Sequence, residues 1–127
     1  MVREYIAYKG LIFTLEWYYN SEGRSQEFEY YQSLNSEERI KLLRLFKRMG
    51  DAGIILDKTK FNFEGNQIYA FKPKPQRFLC FFFDGKKIIV TNAFCKKQQK
   101  LPKNEKDKAL KSKSDYQKRI NNGDYYE

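Results

Sequence analysis

The sequence predicts an α+β fold: a small, mostly antiparallel, twisted sheet carrying two N-terminal helices, with a basic helix at the C-terminal end. Three observations predict it. Residues 11–18 alternate with period two, residues 35–53 hold a capped helical repeat, and three strand-like runs between residues 67 and 94 precede a lysine-rich helical stretch. At 127 residues the chain has room for one sizeable core. One domain is therefore expected over residues 1–120, with 121–127 as a loose tail.

In residues 11–18, Leu11, Phe13, Leu15 and Trp17 alternate with Ile12, Thr14, Glu16 and Tyr18, the spacing of a strand with one better-buried face. Asn20, Ser21, Glu22 and Gly23 break it. Residues 25–34 predict a short helix with Phe28 and Tyr31 three apart. Asn35 followed by Glu38 then has capping-box spacing, and Leu42, Leu45, Phe46 and Met49 fall at i, i+3, i+4 and i+7 of a second helix. Gly50 and Gly53 end it, because glycine accepts the left-handed conformation common after helix C-termini. The opposite face carries Arg39, Lys41, Arg44, Lys47 and Arg48, which reads as solvated surface.

Three strands are expected next, over residues 67–71, 78–83 and 87–94. The link through Pro73 and Pro75 cannot carry a ladder, since proline lacks the amide proton. The middle run, Phe78-Leu79-Cys80-Phe81-Phe82-Phe83, is apolar on both faces and predicts a central strand covered on each side. Asp84-Gly85 marks a hairpin turn. Pro102 opens the final helix, whose few apolar positions, Ala109, Leu110, Tyr116 and Ile120, allow docking along a narrow stripe.

Composition bounds the function. The chain is 41% hydrophobic and 17% aromatic, which argues against disorder. Its net charge of +9 lies almost wholly beyond residue 60, where fifteen basic side chains face seven acidic ones. Such a field attracts phosphate polymers, anionic membrane or acidic proteins. The scarcity of large apolar residues on the basic helix disfavours a membrane, and neither a signal-peptide pattern nor an apolar run of spanning length appears, so the cytoplasm is the expected compartment. Cys80 and Cys95, each in an apolar stretch, are read as free, buried thiols. With no histidine in the chain, nucleophilic triads and two-histidine ribonuclease chemistry are excluded, and neither a metal nor a cofactor is expected.

What remains is a set of cations at strand ends: Lys72, Lys74 and Arg77 around the proline link, and Lys96, Lys97 and Lys100 after the last strand. If these strands share a sheet, their exits converge on one anion site, where arginine grips phosphate with two parallel bonds and lysine acts as a point charge.

The order of Ile68-Tyr69-Ala70-Phe71-Lys72, Arg77-Phe78 and Ala93-Phe94-Cys95-Lys96-Lys97-Gln98-Gln99-Lys100-Leu101-Pro102 resembles the RelE/HigB toxin superfamily, in particular its phage-derived, Gp49-like, HigB-type branch. The resemblance covers roughly residues 11–119. It implies a RelE-like fold and an mRNA interferase, the toxin of a type II toxin–antitoxin pair. The implied partners are mRNA, held by the ribosome in RelE-like relatives, and a helix-turn-helix antitoxin. Lys72 stands where the branch has arginine, and Asn92-Ala93 where it has histidine-glycine.

The expected chemistry is attack of a ribose 2′-hydroxyl on the adjacent phosphate. Lys72, Lys74, Lys96 or Lys97 would serve as a weak general base, its pKa depressed by neighbouring cations, and Arg77 would steady the growing charge. Lys100, Lys103, Tyr116 and Arg119 are the expected RNA-binding residues, Tyr116 competing with a role as a core anchor. The alternative is a degenerate relative that binds RNA without cutting it.

Overall fold

A computed structural model of the chain describes residues 3–97 and 100–126. Among them the elements run β1 (Ile6–Lys9), β2 (Thr14–Trp17), α1 (Gln26–Ser33), α2 (Ser36–Ala52), β3 (Phe61–Phe63), β4 (Tyr69–Phe71), β5 (Gln76–Phe83), β6 (Lys87–Cys95) and α3 (Lys103–Asn122). The strands form one mixed sheet in the order β1-β2-β6-β5-β4-β3. Only β2 and β6 pair in parallel; the other neighbours are antiparallel.

Local chemistry explains most of these boundaries. The Ser25 side chain caps α1 by accepting from the Phe28 amide. Asn35 and Glu38 close the expected capping box on α2, which ends at Gly53 with φ +78°. Asp84 and Gly85 both take positive φ, as a type I′ hairpin requires.

The sheet is buried on both faces. On one, Leu42, Leu45, Phe46 and Met49 of α2 meet Trp17, Phe71, Phe78 and Val90. On the other, Ala109 and Tyr116 of α3 meet Ala70, Leu79, Phe81 and Ile89. Alternate residues of β5 therefore serve opposite cores, which accounts for a run apolar on both sides. Burial of this kind contributes roughly 1.5–3 kcal/mol for each large apolar side chain.

Several expectations are corrected. β1 and β3 are not among the expected elements: β1 is a four-residue edge strand with Ile6 55% exposed, and β3 spans three residues, too few to show a period. Cys80 is buried, but Cys95 ends β6 and is exposed. The expected loose tail is docked, since α3 runs to Asn122 and Tyr125 is buried. Its hydroxyl accepts from the Tyr19 amide at 3.0 Å.

β6 departs from regular pairing in two places. The register slips between Leu79 and Cys80, whose partners are Asn92 and Val90, leaving Thr91 as a bulge. The slip changes which residues face α3. β6 also outruns β2, whose last partner is Val90. Along the uncovered edge the Gln26 amide takes a strand's place: its nitrogen donates to the Ala93 carbonyl and its oxygen accepts from the Ala93 amide, both at 2.9 Å.

Candidate nucleic-acid interface

The β4–β5 link and the end of β6 are tied together by backbone. The Lys72 amide donates to the Lys60 carbonyl at 2.8 Å and the Lys74 amide to the Lys72 carbonyl at 2.9 Å. The Lys96 amide donates to the Pro75 carbonyl at 2.9 Å, so the exit of β6 lies against the proline link. Arg77 and Phe94 are direct cross-strand partners, and Phe94 packs with the α3-side core. Arg77 therefore projects toward the α3 side of the sheet.

The electrostatics follow from this crowding. Burial holds the Lys72 ammonium below its ordinary pKa; Glu64 opposes the shift, while Arg77, Lys96 and Lys74 add to it. Burial likewise lowers Arg77, with Glu64 and Cys95 opposing. The Arg77 Nη1 donates to the Gln76 carbonyl at 2.9 Å, but its buried Nε has no partner among the described residues. A buried donor left unpaired costs about 1–3 kcal/mol.

Not every expected residue joins this group. Lys72 and Lys74 line a cleft of about 390 Å³ whose lining does not include Arg77 or Lys96. Lys72 also reaches back, its Nζ donating to the Lys58 carbonyl at 3.2 Å. Lys97, Lys100 and Lys103 are exposed, and Lys103 pairs with Asp107 at 3.6 Å. Gln98 and Gln99 of the family-like stretch lie outside the described residues.

Two of the expected RNA-binding residues are corrected. Tyr116 is fully buried, its ring edge-on to Phe81 and Phe83 with centroids 5.5 and 5.0 Å away, so no base can stack on it. Arg119 is held by Asp115 at 2.9 Å, bonds the Tyr19 carbonyl and lies 4.6 Å over the Tyr125 ring. It fastens the end of α3 rather than a phosphate.

Other residues lie here that the sequence does not place at the site, Lys41 and Arg44 falling on the helix face that reads as solvated surface. Glu64 is a carboxylate felt at both Lys72 and Arg77. Lys41 and Arg44 of α2 and Lys60 beside β3 line the Lys72 cleft. A larger hollow of about 450 Å³ lies between the start of α1 and α3, but its lining mixes Glu22, Glu27 and Asp115 with Arg24, Lys108 and Lys111. That balance of signs does not select a polyanion. Among the described residues, no group of three or more His, Cys, Asp or Glu side chains is placed to hold a metal ion.

The model of a family described as phage-derived protein Gp49-like (DUF891) matches residues 29–114, more than half of the chain. The chain belongs to the Gp49-like family. The matched region of this Gp49-like protein runs from α1 into α3 and so includes the Lys72, Arg77 and Lys96 positions. The Gp49-like family is associated with the toxins of toxin–antitoxin systems. No curated protein matches the chain. Among the described residues of this Gp49-like chain, no helix is long and apolar enough to cross a membrane.

Proposed function

We propose that this Gp49-like protein is the toxin of a type II toxin–antitoxin pair, a cytoplasmic endoribonuclease that cleaves mRNA without a metal ion, and that a cognate helix-turn-helix antitoxin inhibits it. The observation that carries the reading is the unpartnered, buried Nε of Arg77 close to Lys72, on which Arg77, Lys96 and Lys74 all act. A ligand with acceptor oxygens would answer that donor.

In this reaction the ribose 2′-oxygen forms a bond to phosphorus while the bond to the next nucleotide's 5′-oxygen breaks. Lys72, its neutral form favoured by burial and by neighbouring cations, accepts the 2′ proton. The Arg77 guanidinium steadies the charge on the phosphate oxygens, and the Lys96 or Lys97 ammonium gives a proton to the leaving oxygen. The products are a 2′,3′-cyclic phosphate and a 5′-hydroxyl end. This modest acid–base equipment leaves much of the work to orientation, which fits an RNA held by the ribosome.

Pulsed expression is expected to halt growth and to produce new mRNA ends, and Arg77→Ala is expected to abolish both while the purified variant melts as a folded protein. Arrest that persists in that variant removes Arg77 from the site. A second reading, an RNA-binding module without nuclease activity, is favoured by the cleft that Lys72 and Lys74 share without Arg77 and Lys96. It predicts RNA binding with unchanged mRNA ends.

A further inference from the structure

The cleft between α2 and the β4–β5 link is lined by five cationic side chains, Lys41, Arg44, Lys60, Lys72 and Lys74; its other lining residues, Leu45, Thr59 and Pro73, are neutral. None of the ion pairs among the described residues uses any of the five. Elsewhere the molecule does pair its cations, and on α2 itself Lys47 meets Asp51 at 2.9 Å. The carboxylate of Asp57, felt from Lys60 and Lys74, is turned to the Thr59 amide and hydroxyl at 2.9 and 2.6 Å and is not part of the lining. A concave surface with one sign of charge focuses its field outward and gathers counter-charge.

We infer that this cleft holds the sugar–phosphate backbone of single-stranded RNA next to the nucleotide engaged by Arg77. The inference rests on the RNA-binding reading above but adds a second stretch of path, on the opposite side of the β4 exit from Arg77. Continuity supports a polymer. Lys72 belongs to the cleft and also lies in the field of Arg77 and Lys96, so one chain passing Lys72 meets both groups. The apolar floor is limited to Leu45 and Pro73, too little to anchor an acidic protein, whose interface core needs larger apolar contacts. At about 390 Å³ the cleft has room for a short run of sugar–phosphate backbone.

The test uses the full protein and a fluorescent single-stranded RNA methylated at every 2′-oxygen, which cannot be cleaved by 2′-hydroxyl attack. Lys41 and Arg44 are exposed on α2, and alanine is a good helix former, so K41A/R44A keeps the fold. We expect the double variant to bind on the order of tenfold more weakly at low salt. The slope of log affinity against log salt should fall by about 1.4, at roughly 0.7 for each phosphate of a single strand that is no longer neutralised. K111A/K118A removes the same charge from exposed positions on α3 and is expected to leave the slope as it was. An unchanged slope in K41A/R44A overturns the inference, as does an equal fall in the α3 control. Displacement of the RNA by polyglutamate at equal charge concentration overturns it in favour of an acidic protein surface. The two readings fail separately. Loss of affinity in K41A/R44A together with unchanged mRNA ends on expression retains the RNA path and removes the nuclease. Cleavage that depends on Arg77 but ignores Lys41 and Arg44 does the reverse.

Discussion

Glu27 is a fully buried carboxyl. Its Oε2 accepts from the Ser25 hydroxyl at 2.8 Å, while its buried Oε1 has no partner among the described residues. Burial pushes the carboxyl pKa well above the ordinary glutamate value. The folded state therefore binds the proton more tightly than the unfolded chain, so the residue's contribution to stability is full below the unfolded pKa of about 4.3 and is lost as pH rises through the folded value. Glu27→Gln is thus expected to raise Tm at pH 8 by a few degrees, about 1 kcal/mol, with the gain shrinking towards pH 4. Thermal melts at the two pH values decide it; a gain that grows on acidification contradicts the assignment. At this scale legibility is uneven. Lys72 and Arg77 stand out because proline brackets strand ends around them, whereas nothing in the spacing of Glu64 links it to either. Tyr116 is ambiguous because an aromatic on a sparse helical stripe has the same spacing whether it anchors a core or stacks on a base.

Among the elements, the contact between the β1–β2 turn and α2 leaves no room for a side chain at Gly10. A Cβ added at Gly10 would lie 2.2 Å from the Gly50 carbonyl carbon and 2.3 Å from its oxygen. That oxygen accepts from the Ile12 and Phe13 amides at 2.7 and 2.9 Å, so backbone meets backbone and no side chain can yield. Gly10→Ala is expected to destabilise by about 3 kcal/mol, at the upper end for overpacking, read as a lower urea midpoint with an unchanged m-value. A midpoint within error of the parent's would mean that the turn relaxes freely. The long elements are legible because each repeats its signal: α2 shows two turns of apolar spacing and a capping box, and β5 shows six consecutive apolar residues. β1 and β3 lack that length. The basic face of α2 looks uniform in sequence, yet Lys41 and Arg44 face a cleft while Lys47 is neutralised by Asp51. Helical spacing cannot tell such positions apart without the neighbouring strand.

For the whole molecule, the α+β class and the central place of β5 follow from pattern, but the distribution of helices does not. α1 and α2 cover one face and α3 the other, and the parallel pairing of β2 with β6 brings together segments separated by most of the chain. Such pairings leave no local mark, and neither does the bulge at Thr91 that turns Asn92 toward Glu105. One consequence concerns self-association. An unpaired strand edge invites a second chain to add to the sheet, and on β6 a single glutamine stands in that place by satisfying both polar groups of Ala93. Gln26→Ala is expected to unseal the edge and produce concentration-dependent oligomers in light scattering, with little loss of helix content. One side chain thus imitates a peptide bond, and a partner able to displace it would gain a ready-made template for strand addition.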